Sequence, residues 1–538
     1  MADTVKIYID DQAYDVPKGA NLVDAAKQLG NDIPVFCYHP KMKPVGMCRM
    51  CLVEMGNVQR DRATNEVMLD DKGNPQIRWM PKLQTACTTT VSDGLVIRTG
   101  TKPVADARKN VIEFLLTSHP LDCPICDKGG ECPLQNQTLE YGPGVSRMVF
   151  DDKMHLDKHV PLGDLIFLDE ERCIQCARCV RFQDEIVGDP VLGFHERGRS
   201  LQIVTMSDPG FDTYFSGNTT DICPVGALTT EDFRFGARPW ELTNVPSICP
   251  HCPVGCNITL STRLDRDFDG RAMIKRVMPR QNEQVNEIWI CDKGRFGHHF
   301  TRSDERLMQP LVNGAPASWA DALSGRRCAQ GGGEVAAITG SQMSNEDLWA
   351  LRKLVGEGRK GRMAPTHGGI QAAGAGRRRR GHEPERSQER RRRAGDRQRS
   401  RRRSPRLAAA HQERADRGAF VVVANSRHTR MDDFASATIR YEAGQAAAAL
   451  GDAANADIVG KLTGAADLVV VAGAEGLTFD GSRALMQAAA NLLISSGHVS
   501  KPNNGLMATL PGANGMGLHY LGWPRASRRT SCRLRLTS

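Results

Sequence analysis

Long apolar runs are missing from this sequence. Although 40% of its 538 residues are hydrophobic, no stretch approaches the ~18 uninterrupted apolar residues that a bilayer span requires, which excludes a helical membrane-spanning chain. Also missing is an export signal: Met1-Ala2-Asp3-Thr4-Val5-Lys6 leads straight into alternating sequence with no basic and then apolar segment, so we expect a cytoplasmic protein. No Gly-x-Gly-x-x-Gly follows a strand-like run and no phosphate-binding lysine loop occurs, so nothing reads as a nicotinamide-nucleotide site.

Lysine vanishes locally. Residues 371–420 hold 17 Arg, no Lys and six acids, a balance of +11; with the whole chain at +9, the remainder sits at −2. From Gln371 to Arg406 there is no Val, Ile, Leu, Met, Phe, Trp or Tyr, so this stretch cannot build a core and would be disordered as written. An arginine-rich RNA-binding arm and a solvated linker are two readings. We prefer a third, a frame-shifted segment over about 370–416 of a GC-rich gene. Arg525 to Ser538, with five Arg and no Lys, reads as a second shift that cuts the chain short. On this reading the net charge has no bearing on function, and no nucleic-acid partner is expected.

Cysteine is plentiful: 17 residues, which in a reducing compartment point to metal rather than disulfides. They fall into four groups. Cys37, Cys48 and Cys51, with Cys87 further on, are spaced approximately as in plant-type ferredoxins, which hold a [2Fe–2S] cluster; a structural zinc is the alternative. Pro44-Val45-Gly46-Met47 would let backbone N–H groups approach the inorganic sulfides. The second group, Cys123, Cys126 and Cys132, supplies three thiolates, and His119 is the candidate fourth ligand to a [4Fe–4S] cluster.

The third group, Cys173, Cys176 and Cys179 with Cys223-Pro224, matches part of a two-cluster ferredoxin, in which two Cys-x2-Cys-x2-Cys-x3-Cys-Pro runs exchange their fourth ligands. Here Gln183, Thr213, Ser216 and Thr219 stand where the other cluster's ligands would be, so one [4Fe–4S] cluster is kept and one lost. The fourth group is Cys249, Cys252 and Cys256, completed by Cys291, again a [4Fe–4S] set; His251 lies inside it but is redundant as a ligand.

Around these groups the periodicity changes along the chain. Residues 5–9 and 13–16 read as a hairpin turning at Asp10-Asp11. Asn21 reads as the cap of a helix carrying Leu22, Ala25, Ala26 and Leu29 on one face. Strands are expected at 52–55 and 95–99 around a polar insertion at about 57–80. A helix starting at Pro103 would present Val111, Phe114 and Leu115. Beyond residue 334, apolar runs at 335–338, 420–423 and 468–471 alternate with helical stretches at 345–355 and 483–494, the pattern of βα units around a parallel sheet.

The order of the four groups, together with Pro44-Val45-Gly46-Met47-Cys48-Arg49-Met50-Cys51, the stretch from His119-Pro120-Leu121-Asp122-Cys123 to Glu131-Cys132-Pro133-Leu134-Gln135, and Asp221-Ile222-Cys223-Pro224-Val225-Gly226-Ala227-Leu228, resembles the large iron–sulfur subunit of bacterial NADH:quinone oxidoreductase, respiratory complex I. The fourth group and the part after it are similar to molybdopterin-dependent oxidoreductases. The resemblance implies a multidomain α+β and α/β chain. Its expected parts are a [2Fe–2S] ferredoxin-type β-grasp domain at 1–100, a one-His, three-Cys domain at 101–150, a ferredoxin remnant at 151–242, a molybdopterin-oxidoreductase-type [4Fe–4S] domain at 243–300 and an incomplete α/β domain at 301–538.

It further implies one [2Fe–2S] and three [4Fe–4S] clusters, no molybdenum, and electron transfer from a flavin- and NADH-binding subunit toward quinone, without substrate chemistry in this chain. The partners implied are the other peripheral-arm subunits. The implied location is the cytoplasmic side of the plasma membrane, as a peripheral part of a membrane complex. The competing reading is the catalytic subunit of an NAD-linked molybdenum formate dehydrogenase, whose metal ligand would fall near residue 380, inside the scrambled stretch. Translating the encoding DNA of residues 370–416 in its other two frames is expected to reveal α/β sequence, and finding none there would refute the frame shift.

Overall fold

The computed structural model describes residues 3–324 apart from 62, 65, 72, 208–209, 267–269 and 304–305, and then 336–339, 342–356, 362–365, 418–473 apart from 443, and 479–509. The chain divides into two compact units, residues 1–244 with 261–276, and residues 245–260 with 277–538.

The first unit begins with a mixed sheet. Strands β1 (Thr4–Ile9) and β2 (Gln12–Pro17) form the expected hairpin, with Asp10 and Asp11 both at positive φ, as a two-residue turn matching strand twist requires. Next come α1 (Leu22–Gln28), β3 (Leu52–Val58), β4 (Ile77–Trp79), β5 (Gln84–Thr85) and β6 (Leu95–Arg98), in spatial order β2-β1-β6-β3-β4 with β5 also on β3. Only β1 and β6 run parallel in the sheet. Ile7, Ile9, Val53 and Ile97 from the strands and Leu22, Val23 and Ala26 from α1 form one core, which also takes in Cys51 and Cys87. The end of the polar insertion is thus part of the sheet, because Ile77–Trp79 pairs with β3.

Helix α2 (Lys102–Leu116) starts where Pro103 suggested, but it buries Val104, Arg108 and Ile112 and leaves Phe114 75% exposed. The buried face runs i, i+4, i+8 from the first turn, with Val111 and Leu115 half-buried along it, so Phe114, two residues past Ile112, points to the outer side. After α3 (Pro133–Tyr141), two similar stretches follow. The first runs from strand Ile166–Leu168 through the Cys173–Cys179 loop and helix α4 (Arg178–Arg181) to strand Leu192–His195. The second runs from strand Gln202–Thr205 through helix Asn218–Ile222 and Cys223 to strand Leu228–Thr230. Leu228–Thr230 pairs antiparallel with Ile166–Leu168, and Gln202–Thr205 with Leu192–His195. This doubled strand–helix–strand pattern is the ferredoxin remnant read from the cysteine spacing.

In the second unit, three parallel pairs carry the α/β character: Ala336–Thr339 with Arg362–Pro365, Val422–Ala424 with Ala437–Ile439, and Val469–Gly473 with Gly505–Thr509. Helices Asn345–Gly356 and Phe479–Ser495 link the first and third pairs and pack on them. Among the described residues these are three separate two-stranded sheets. Both stretches read as frame-shifted, 370–416 and 525–538, lie outside the described residues.

Asn21 ties this fold to its first cysteine group. Its Oδ1 accepts from Val23 N at 2.9 Å, capping α1, and its Nδ2 donates to Cys87 O at 2.7 Å. Asn21→Ala removes both bonds and is expected to cost about 1–2 kcal/mol, read as a lowered thermal midpoint of the first unit with earlier bleaching of visible absorbance from the Cys87 site.

Candidate iron–sulfur centres

At the first group the four cysteines converge. Cys37, Cys51 and Cys87 are buried; Cys48 N lies 3.5 Å from Cys37 Sγ, and Cys37 N 3.4 Å from Cys48 Sγ. Hydrogen bonds from the Cys48 and Cys87 thiols hold the Cys37 thiol far below its ordinary value, while the same contacts push Cys48 and Cys87 up. Such sharing needs sulfurs in mutual contact. Gly46 sits in the loop at φ +64°, where a side chain would be strained, and a Cβ there would stand 3.1 Å from Thr88 Cγ2, next to Cys87.

In the second group Cys126 and Cys132 are buried and Cys123 is exposed. Burial, reinforced by Lys153 and Arg172, pushes the His119 imidazole down to about 4, so it is neutral at pH 7, the state in which imidazole binds metal. Its Nδ1 is buried with no hydrogen-bond partner. Arg172 acts on Cys126 as well as on His119, which sets the two in one neighbourhood.

The third group lines one cavity: Cys173, Cys176, Cys179 and Cys223 share it with Leu168, Ile203, Val225 and Leu228. Burial pushes the Cys176 thiol up to about 11 and Cys173 up to about 12, with neighbouring cysteines adding to the rise. Without a metal, burial keeps these cysteines as neutral thiols; a bound metal centre would supply the positive charge that lets them ligate as thiolates. The place of the lost cluster is filled. Gln183, Thr213, Ser216 and Thr219 are all buried; Thr213 Oγ1 donates to Gln183 Oε1 at 3.4 Å, and Thr219 Oγ1 to Ser216 O at 2.6 Å. These four residues form a buried polar cluster that is hydrogen-bonded in part, with Gln183 Nε2 left without a partner.

The fourth group lies in the second unit, with Cys249, Cys252 and Cys256 buried. A Cβ on Gly294 would stand 3.4 Å from Cys249 Sγ and 3.8 Å from Cys291 Sγ, so these two sulfurs flank one bare backbone position. Burial pushes Cys291 well up, helped by Cys249 and Cys252. His251 is half-buried with its ring edge-on to Phe300, centroids 6.4 Å apart, and Nε2 faces Gly297, where a Cβ would lie 2.7 Å away.

The sulfur spacing bears on which metal would fit. Among the described residues no three cysteine sulfurs lie within 4.8 Å of one another. A tetrahedral zinc with Zn–S of ~2.3 Å would hold its sulfurs about 3.8 Å apart. Sulfurs that meet only in pairs or lie wider apart suit clusters, which spread their ligands over several irons, two per iron in [2Fe–2S] and one per iron in [4Fe–4S].

The contacts between the second and third groups could not be read from spacing. Cys132 Sγ lies 3.6 Å from Pro224 O, and a Cβ on Gly226 would fall 2.1 Å from Cys126 Sγ. The turn after Cys223 therefore reaches the sulfurs of the neighbouring group. Asp122, one residue before Cys123, accepts from Arg172, one residue before Cys173, at 2.9 Å, and from Lys158 at 2.6 Å. Burial alone would raise the Asp122 carboxyl, yet these two cations hold it below the usual carboxylate range. Asp122, Asp169 and Glu171 also form a compact acidic trio, but Lys158 and Arg172 occupy it as counter-charges.

Comparison with known proteins follows the same order. Family models match in sequence: a 2Fe-2S iron-sulfur cluster binding domain over residues 2–72, the NADH-ubiquinone oxidoreductase-G iron-sulfur binding region over 108–147, the ferredoxin-like domain of NADH-quinone oxidoreductase subunit 3 over 163–229, and the molybdopterin oxidoreductase Fe4S4 domain over 242–303. NADH-quinone oxidoreductase subunit 3 of Thermus thermophilus is 44% identical over 336 residues, 59% of this chain and 42% of that protein. A NADH-quinone oxidoreductase subunit of Streptomyces coelicolor is 42% identical over 364 residues, covering 65% and 39%, and one of Rickettsia felis 38% identical over 358 residues, covering 65% and 49%.

This chain is similar to these NADH-quinone oxidoreductase subunits. It spans less than half the length of each of the three. Every residue of the four groups except Cys87 lies inside a matched domain, and Cys87 is joined to its group through the core of the β-grasp sheet. A solved structure of NAD+-reducing [NiFe]-hydrogenase in the H2-reduced state matches with 25% identity and a TM-score of 0.35 over 43% of this chain and 90% of that one, a superposition too loose to argue from.

Gly226→Ala places a methyl group against a sulfur of a different cysteine group. In a chain loaded with iron and sulfide, a cluster held by Cys126 and its group is expected to lose or change its EPR signal, while one held by Cys223 and its group would keep its iron.

Proposed function

We propose that this chain is an electron-transfer subunit of an NADH:quinone oxidoreductase, taking electrons from a flavin-bearing, NADH-oxidising partner and passing them toward quinone. The observation that supports this best is the succession of four candidate ligand sets, the first three within one compact unit, where the third set's segment contacts both the second set and the first set's loop. Cys37, Cys48, Cys51 and Cys87 would hold a [2Fe–2S] cluster. His119 with Cys123, Cys126 and Cys132, then Cys173, Cys176, Cys179 and Cys223, and finally Cys249, Cys252, Cys256 and Cys291, would each hold a [4Fe–4S] cluster. When bound, such clusters accept and release single electrons.

The protein's share is to shield most of the sulfurs from water, Cys123 being the exposed one, and to fix their spacing. Thiolates select iron–sulfur chemistry over harder metals, and exchanging one thiolate for neutral His119 makes its set one charge less negative, which favours reduction there. The partners would be the other peripheral-arm subunits, and the chain would sit as a peripheral component on the cytoplasmic side of the membrane complex. No helix among the described residues is long and apolar enough to cross a membrane.

Metal analysis with stepwise reduction tests the proposal. We expect fourteen iron atoms per chain, from one two-iron and three four-iron centres, without stoichiometric zinc or molybdenum. His119→Ala should alter one [4Fe–4S] signal and leave the other three centres assembled. Stoichiometric molybdenum would replace this reading with the formate dehydrogenase one, and unchanged EPR spectra in the histidine variant would remove His119 from the ligand set.

A further inference from the structure

Two arginines interleave with the third cysteine run, in Cys176-Ala177-Arg178-Cys179-Val180-Arg181. Both leave their own loop for the first cysteine group. Arg181 Nη1 donates to Lys43 O at 2.6 Å, and its Nη2 donates to Cys37 O. Arg178 does something different: Nη2 donates to Tyr38 O, while Nη1 donates to Ile222 O at 3.0 Å. Tyr38 follows Cys37, and the Ile222 carbonyl is bonded directly to the nitrogen of Cys223. One planar guanidinium therefore joins the peptide beside a ligand of the first group to the peptide beside a ligand of the third, using the fork geometry that lysine lacks.

The Arg178 charge is placed with equal economy. Burial works against it, and the groups that favour it are cysteines of both sets, Cys176 and Cys223 on one side and Cys48 and Cys37 on the other. A four-thiolate cluster is anionic and gains one more negative charge on reduction, so a fixed cation beside it raises the reduction potential.

We propose that Arg178 is a positioning residue shared by two redox sites. Its guanidinium clamps the Cys37 loop to the Cys223 peptide, sets the distance and hydrogen-bonded path between the two cysteine sets, and raises the reduction potential at both. This rests on the cluster assignments proposed above for those two sets. A single electron passes between them; no bond forms or breaks, and Arg178 keeps its proton throughout.

The test is potentiometric EPR on the full chain with its clusters reconstituted, comparing the parent with Arg178→Gln, Arg178→Lys and Arg181→Gln. Arg178→Gln loses both charge and clamp, so the midpoint potentials of the [2Fe–2S] centre and of the Cys223 centre should both shift negative. The spin–spin broadening between the two reduced centres should also weaken. Arg178→Lys keeps the charge but offers one nitrogen where the guanidinium holds the two carbonyls from two fixed ones, so the potentials should stay near the parent's while the broadening weakens. Arg181→Gln, which touches only the first loop, should move the [2Fe–2S] potential alone.

The shared role is overturned if Arg178→Gln shifts one potential only, or if its potentials and line shapes match the parent's. Should the Gln variant fail to assemble, Arg178→Lys decides: parent-like broadening in it overturns the clamp. A parent chain that takes up no iron at these two sets would overturn the cluster assignment itself, whereas iron-replete variants without these changes would overturn only the role of Arg178.

Discussion

The close packing of the Cys223–Gly226 turn against the sulfurs of the Cys126 group is the constraint that organises the first unit. A turn that ends one ligand set forms the wall of the next: Pro224 O touches Cys132 Sγ, and Gly226 leaves no room for a Cβ beside Cys126 Sγ. The second and third cysteine sets, far apart in the chain, are thereby held at short range without a large apolar core around each, and Arg178 and Arg181 tie the first set's loop to the third. Where such a core exists, in the β-grasp sheet, it buries Cys51 and Cys87 directly.

Close thiolate sets bring a Coulombic problem, since each adds negative charge in surroundings from which water is largely excluded. The unit answers with arginines placed next to ligand cysteines in sequence. Arg172 precedes Cys173 and pairs with Asp122 and Asp169; Arg178 and Arg181 flank Cys179 and donate to carbonyls of the first group's loop. The same residues supply positive charge and mechanical links, so spacing and electrostatics are set together.

The positions that the spacing matches to a second ferredoxin cluster, Gln183, Thr213, Ser216 and Thr219, are buried polar residues. Leaving buried polar atoms unpaired is costly, and here only Gln183 Nε2 among these four side chains is so left. Gln183 and Thr213 bond to each other, the Thr219 hydroxyl turns back onto its own helix, and the fully buried Phe182 and Phe211 add apolar bulk to the same unit. The strand–helix–strand duplication survives because its packing does not require the second cluster.

Residue order alone yields the candidate ligands and most element types. Cysteine spacing is local and chemically specific, so the four groups, the missing fourth thiolate of the second and the substituted positions of the third were all legible from it. Strands β1, β3 and β6, the Asn21 cap and the βα alternation after residue 334 were legible too, because period-2 and period-3.6 patterns are short-range. Which face α2 buries was not: Arg108 enters the buried side and Phe114 stays outside, a choice made by neighbouring elements rather than by hydrophobicity alone. The strand at Ile77–Trp79 inside a polar segment depends on a pairing partner some twenty residues away in sequence. That Gly226 meets Cys126 and that Arg178 joins Tyr38 to Ile222 emerges at the tertiary level, because nothing local links residues 140 positions apart; their meeting follows from how two folded elements dock.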